Sequence, residues 1–252
     1  MKHSLLLFLS ALIMTACTST KTSTSTQNTN TETNTPPYFK ASGNEPFWGL
    51  TISESVIELQ SLADDKTYSF SHVMPIKAMD ANVKMYRTEN TEAKLEITIQ
   101  QQDCINDMSG EKSPYIVSLN LTKKNGKSES LKGCGSYQLP LRFHDIWALE
   151  SLNGKKVTAS DFAKQIPYFE IDSKKSSYSG YGGCNGMGGS LFYEPGILRF
   201  EKGISTMMYC GDNNKENEFH QALNKVTQYE FKDTKLVLSN PSGVLVVMKK
   251  VD

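Results

Sequence analysis

Between Lys94 and Gln100 apolar and polar residues alternate one for one, with Leu95, Ile97 and Ile99 on one side and Glu96, Thr98 and Gln100 on the other. That period of two belongs to a strand with one buried face. Tyr115, Val117, Leu119 and Leu121 repeat it. The Lys124-Asn125-Gly126-Lys127 stretch that follows carries the Asn-Gly pair of a tight hairpin. The same pattern predicts strands over 47–52, 56–59, 68–76, 83–87 and 130–137. No helical period stands out before residue 150.

Beyond it, strands are expected at 146–149, 168–171, 176–181, 190–193, 197–200, 235–238 and 244–248, with a turn at Asn153-Gly154. One stretch switches to the helical period. Phe219, Ala222, Leu223 and Val226 fall at i, i+3, i+4 and i+7, a single apolar stripe. Asn213 followed three residues later by Glu216 has capping-box spacing, so a helix is expected over about 214–227. A shorter helical turn is expected over 160–164. The fold class that results is mainly β (α+β): two small antiparallel β-rich domains, the second with one packed α-helix.

The amino terminus reads differently. Lys2 and His3 precede an apolar run from Leu5 to Met14, and Met14-Thr15-Ala16-Cys17 ends it. The run is shorter than the ~20 residues a bilayer span needs, and its layout is that of a secretory signal. The cysteine directly after the small residue resembles the bacterial lipobox. That resemblance implies cleavage after residue 16, lipidation of Cys17 and attachment to a membrane through the lipid. Residues 18–37 hold nine Thr and three Ser with no aliphatic or aromatic side chain, and end in Pro36-Pro37. Such a tract cannot bury enough apolar surface to offset its ordering entropy, so it reads as a linker with ends ~25 Å apart. The expected organisation is signal peptide 1–16, lipidated cysteine and linker 17–37, a first β-rich domain 38–141 and a second 142–252.

Charge adds an exclusion. The 27 basic and 27 acidic residues balance, and without a basic stripe nucleic acid is not an expected partner. Cysteine count adds staples. Cys104, Cys134, Cys184 and Cys210 remain after Cys17; they are even in number, form no C-x-x-C pair, and belong to an exported chain. Three pairings are open. Cys104–Cys134 with Cys184–Cys210 keeps each bond inside one domain and is the expected one, each loop being worth about 3–4 kcal/mol by chain entropy.

Reactive chemistry is sparse. The glycine cluster over 180–189 has no Gly-Lys-Ser/Thr and no G-x-G-x-x-G register, so a phosphate loop is not expected. Its glycines suit tight backbone approach, with Gly183 and Asn185 as candidate binding residues. Ser109-Gly110-Glu111-Lys112 matches S-x-x-K, but the S-D-N and K-T-G partners of that chemistry are missing. Asp107 and Ser109 remain binding candidates in a polar loop; Asp103, Asp107 and Glu111 lack the spacing of a calcium loop. His72, His144 and His220 have no zinc-site spacing, so neither metal nor cofactor is expected. His220, four residues after Glu216, suits an ordinary solvated helix pair.

Several motifs of the second half occur in a recognisable order. These are Trp147-Ala148-Leu149 before Asn153-Gly154, Ser179-Gly180 through Gly183-Cys184-Asn185 to Gly188-Gly189, Ser205-Thr206-Met207-Met208-Tyr209-Cys210, and Glu218-Phe219 with Leu223. Together they resemble the META domain of the HslJ-like heat-shock family. Gly43-Asn44-Glu45-Pro46-Phe47-Trp48, Asp103-Cys104, Asp107-Met108-Ser109 and Gly133-Cys134 resemble an uncharacterised domain of bacterial envelope lipoproteins. The resemblance implies a small mixed-β fold with a packed helix, a link to heat and antibiotic stress, and no catalytic residue. The expectation is a non-enzymatic lipoprotein, placed at the outer membrane facing the periplasm because Thr18 rather than Asp follows Cys17. It would support envelope integrity or stress tolerance through binding, with an envelope protein as partner. The alternative is an inhibitor or binder of an exported hydrolase.

Overall fold

The computed structural model describes residues 36–211 and 214–251. The leader, Cys17, all but the last residues of the linker, and the candidate cap Asn213 lie outside the described residues. The first sheet runs through β1 (Phe39–Asn44), β2 (Phe47–Ile52), β3 (Val56–Ser61), β4 (Lys66–Ser71), β5 (Ile76–Lys77), β6 (Val83–Glu89), β7 (Ala93–Ile105), β8 (Lys112–Lys123) and β9 (Ser128–Tyr137). The second holds β10 (Ile146–Leu152), β11 (Lys155–Lys156), β12 (Tyr168–Asp172), β13 (Ser177–Tyr181), β14 (Gly186–Glu194) and β15 (Ile197–Ser205). After helix α1 (Glu216–Asn224) it continues with β16 (Gln228–Lys232), β17 (Lys235–Asn240) and β18 (Gly243–Lys250). The chain is mainly β with one α-helix among the described residues, as the periodicity predicts.

Both sheets curl. The first has the order β4-β3-β2-β1-β9-β8-β7-β6-β5. Its ends are drawn together by side chains: Thr88 Oγ1 donates to the Ser71 carbonyl at 3.2 Å and Asn90 Nδ2 to that of Ser69 at 2.8 Å. The second closes by backbone pairing, because β10 pairs with both β12 and β18. Eight strands therefore form a ring, β10-β12-β13-β14-β15-β16-β17-β18. Closure satisfies backbone groups that an open edge would leave for other chains.

Alternation puts the cores inside. Leu95, Ile97 and Ile99 of β7 face Leu121, Leu119 and Val117 of β8 across the ladder, and all six are buried. The Asn125-Gly126 turn has Gly126 at φ +84°, in the left-handed region a tight hairpin needs. Trp48 is 3% exposed and packs over the backbone of Gly133, where any Cβ would overlap both the indole and the Ser42 carbonyl. In the second ring α1 lays Phe219, Ala222 and Leu223 against β15 and β18.

Three differences from the sequence pattern have physical causes. The expected strand over 68–76 stops at Ser71, and the chain pairs again only at Ile76–Lys77, with β6. Pro75 lies in the gap and has no N–H to continue a ladder. The helix starts at Glu216 rather than 214 and ends at Asn224 rather than 227, and Lys215 stands at its N-cap without a side-chain cap bond. The turn expected over 160–164 is a 3-10 turn at Ala159–Asp161.

The inside-outside assignment of β7 is testable by urea denaturation. Ile97→Ala should cost about 2–5 kcal/mol, as large-to-small changes in a packed core do. Gln100→Ala, on the exposed face, should stay within about 0.5 kcal/mol. Equal losses would mean the strand is registered the other way round.

Candidate functional site

Gly183 and Asn185 lie in the turn between β13 and β14, and both are buried. Gly183 has φ +113°, and a Cβ there would run into the Phe162 ring. The Asn185 side chain works inward. Its Nδ2 donates to Glu216 Oε2 at 2.8 Å and to the Met208 carbonyl at 3.2 Å. Its Oδ1 accepts from Met208 N at 2.8 Å and Thr206 Oγ1 at 3.0 Å. Glu216 Oε1 accepts from the backbone N–H of Cys184 at 3.0 Å and of Asn185 at 2.6 Å. Cys184 and Cys210 are joined in a disulfide with Cα atoms 6.2 Å apart. The glycine-rich turn, the 206–210 segment and the start of α1 are thus tied into one polar knot.

The knot alters two readings of the helix. Glu216, spaced to cap the helix, turns its carboxylate to the Cys184 and Asn185 N–H groups instead. His220 is not a solvated partner of Glu216: its Nε2 is buried without a hydrogen-bond partner. Burial pushes the imidazole pKa below its ordinary value, against the opposing pull of Glu216. Asp161 helps to set the helix start. Its carboxylate, held down to about 2 by the Lys215 ammonium and by Thr158, meets Lys215 Nζ at 2.6 Å.

Asp107 and Ser109 are exposed in the loop between β7 and β8, on the other sheet. Asn106 organises that loop. Its Oδ1 accepts from Met108 N and Ser109 N at 3.0 Å each and from Asn44 Nδ2 at 2.9 Å. Ser109 Oγ accepts from Glu111 N at 3.2 Å. Cys104 and Cys134 are paired beneath the loop, Cα atoms 5.5 Å apart. The four binding candidates therefore fall into two separate turns. One grouping of metal-type ligands occurs among the described residues, Cys184, Cys210 and Glu216. Its two sulfurs are bonded to each other and its carboxylate is taken by N–H donors, which leaves no free ligand set for an ion.

The feature that sequence reading missed lies where the two sheets meet. Leu191, Phe192, Tyr193 and Glu194 of β14 are all buried, so this strand is covered on both faces. Tyr193 packs on Phe143 and Tyr229, while Phe192 lies 6.1 Å from the Tyr115 ring of the first sheet. Glu194 accepts from the Tyr115 hydroxyl, from Asn82 Nδ2 at 2.5 Å and from Lys84 Nζ at 2.8 Å. Burial alone would raise the Glu194 pKa, but the bonds from Lys84, Tyr115 and Asn82 outweigh it and hold the carboxyl below its ordinary 4.5. A broken alternation, Leu-Phe-Tyr-Glu, was the available signal.

Beside Glu194 the seam opens into a recess of about 430 Å³. Its floor is aromatic. Tyr38 and Tyr137 stack at 6.3 Å with 9° between their planes, and His72 stands edge-on to Tyr38 at 6.0 Å and to Tyr86 at 6.4 Å. Tyr38 Oη lies 2.9 Å from His72 Nε2 and 3.4 Å from Tyr86 Oη. Burial pushes the Tyr38, Tyr86 and Tyr137 hydroxyls up, so they stay protonated. Met74, Pro75 and Ile197 form its apolar wall. A larger hollow of about 640 Å³ runs over the first sheet past Lys40, Thr51, Glu58 and Gln60, side chains on its polar face. A concave, mainly apolar recess with a few convergent polar groups is the better candidate for ligand binding.

Two expectations follow from these networks. Glu194→Ala should lose about 3–5 kcal/mol, because it leaves the largely buried Lys84 ammonium without its counter-charge, while Glu194→Leu with Lys84→Met should cost less than either single change. Since the folded carboxyl titrates below the unfolded one, its contribution is complete above about pH 4.5 and is lost as pH falls through the folded value. Urea titrations at pH 7 and pH 3.5 should therefore show a larger acid loss in the wild-type protein than in the double variant. In the knot, Glu216→Ala should cost about 2–4 kcal/mol by leaving buried N–H groups unmet, and Glu216→Gln less. Amide exchange at Cys184 and Asn185 should quicken in the alanine variant, and an unchanged rate would assign those N–H groups another partner.

No curated protein matches the chain. A solved structure described as an NMR structure is similar at 28% identity, with 42% of this chain and 89% of its own covered and a TM-score of 0.34. The C-terminal part of the chain, residues 140–252, matches the META domain family, in agreement with the ordered motifs from Trp147 to Leu223.

Proposed function

We propose that this protein is a non-enzymatic cell-envelope lipoprotein, anchored through Cys17, that supports envelope integrity or stress tolerance through binding. The META match over 140–252 is consistent with a stress-related envelope protein. The observation that carries the binding reading is the state of the buried polar groups. The carboxylates of Glu194 and Glu216 are each saturated by protein donors, and four cysteines are paired. Groups so committed serve to fix the fold, and the titratable groups left at the recess, His72, Glu54 and Lys77, include no pair bonded to each other. Rigid loops and a preformed recess lower the ordering cost of binding.

A second reading, a binder of an exported hydrolase, is favoured by the loop between β7 and β8. Ile105 and Met108 are 56% and 69% exposed there, on backbone fixed by Asn106 and the Cys104–Cys134 bond.

Fractionation tests the anchor on which both readings rest. The native product should begin at Cys17, carry the mass of a diacylglycerol group and sediment with membranes, whereas Cys17→Ser should appear in the soluble fraction. An unmodified amino terminus on a membrane-free protein would overturn the lipoprotein reading. Affinity capture on the purified protein that returned a single exported hydrolase, lost with Met108→Asp, would favour the second reading over the first.

A further inference from the structure

We propose that the recess at the seam binds an uncharged aromatic compound bearing one hydroxyl or carbonyl group at its edge. The inference rests on the binding reading above and goes beyond it by naming the ligand class.

The argument starts from charge. Two cationic and two anionic side chains border the recess, Lys77 and Lys84 against Glu54 and Glu194. Lys84 and Glu194 are paired at 2.8 Å, with side chains only 13% and 6% exposed, and the Lys84 ammonium also lies 5.1 Å above the Tyr137 ring. Both Nδ2 and Oδ1 of Asn82 are likewise committed, to Gln101, Glu194 and Lys84. Glu54 and Lys77 are exposed, so a charge meeting them stays in water, whereas a ligand carboxylate or ammonium carried against the paired Lys84 and Glu194 would lose hydration without gaining a free counter-charge.

What remains available to a ligand is asymmetric. The half-buried rings of Tyr38 and His72, backed by the buried Tyr86 and Tyr137, provide flat surface suited to offset or edge-to-face contact with another ring. Met74, 80% exposed, lies beside them with Pro75 and Ile197. Apart from the exposed Glu54 and Lys77 at the border, uncommitted polar capacity is gathered in one cluster, the linked Tyr38 and Tyr86 hydroxyls and the His72 imidazole. These hydroxyls are protonated and can donate to a carbonyl or exchange bonds with a hydroxyl. A volume of about 430 Å³ lies within the range of roughly 300–1,000 Å³ typical of small-ligand pockets. A flat apolar body with a single polar edge matches this division; a multiply charged or linear polar ligand does not.

The probe is 2-naphthol, titrated into the full chain in detergent and followed by NMR of the His72 and Tyr38 side chains, with a detergent blank for partitioning. Saturable one-to-one binding with Kd of about 0.1–1 mM is expected for a ligand of this size. Charged 2-naphthoate should bind at least tenfold more weakly. Tyr38→Phe, which keeps the ring and removes the hydroxyl, should weaken 2-naphthol severalfold. Ile197→Trp should abolish the shifts by filling the recess, and Met74→Ala, at an exposed rim position that folding does not depend on, should weaken binding without changing the melting temperature. The proposal is overturned if 2-naphthol leaves the His72 and Tyr38 signals unmoved, if 2-naphthoate binds as tightly, or if neither Met74→Ala nor Tyr38→Phe alters the affinity. Each of those results leaves Cys17 lipidation and membrane sedimentation untouched, so the ligand class would fall without the lipoprotein reading.

Discussion

A carboxylate removed from water has to be answered by the protein, and Glu194 is answered entirely from the opposite sheet. Its three donors, Tyr115, Asn82 and Lys84, belong to the first ring or its connections, while Glu194 ends β14 of the second. A buried ion pair of this kind adds little net stability over an apolar contact of the same shape, because desolvation consumes most of the attraction. Its force is negative. A rotation or slip of one ring on the other would leave a naked charge, so the network selects a single docking geometry. Phe192, two residues earlier on the same face, meets Tyr115 in that geometry and contributes the apolar part.

One strand serving two cores explains the rest of the seam. Leu191 and Tyr193 project into the second ring while Phe192 and Glu194 project toward the first, so β14 cannot move without disturbing both. Closure makes this affordable. An open nine-stranded sheet would meet its neighbour with exposed edges and many registers, whereas a ring closed by β10–β18 pairing presents a fixed outer surface. The recess lies beside this contact, bordered by Glu194, Pro195 and Ile197 of the second half and by Tyr38, His72 and Tyr86 of the first.

Legibility in the sequence followed the number of cores a strand serves. Strands β7 and β8 serve one core; their period-two pattern showed the buried face of each and Asn125-Gly126 showed the hairpin of β8 with β9, while the register of β7 on β8 was not legible. The helix was readable from its four-residue apolar stripe, although its ends were not, since the residues near Glu216 answer to the turn at Cys184 and not to the helix. Strand β14 was half readable. Its location showed, but Leu191-Phe192-Tyr193-Glu194 breaks alternation because both faces are buried, and a polar residue at the end of an apolar run gives no hint of burial. Ring closure was not legible at all. It depends on β10 pairing with β18, roughly a hundred residues apart in sequence, and on Thr88 and Asn90 reaching the β4 carbonyls, which no local pattern encodes.

The same distinction bears on what the family match can carry. The residues that make the second half recognisable, Gly183-Cys184-Asn185 and the Thr206-to-Cys210 segment, converge on Glu216 and are consumed in holding a turn, a loop and a helix together. A ligand at Asn185 would have to displace four intramolecular hydrogen bonds from a buried amide, each leaving an unmet partner behind. Recognition by these motifs thus transfers a fold and not a binding site. The surface with spare chemistry is the recess, and of the residues that shape it only Glu194, Pro195 and Ile197 come from the matched region. Tyr38, His72, Tyr86 and Tyr137 come from the half outside the match. A ligand at this recess would therefore be met by both halves together and not by the matched half alone.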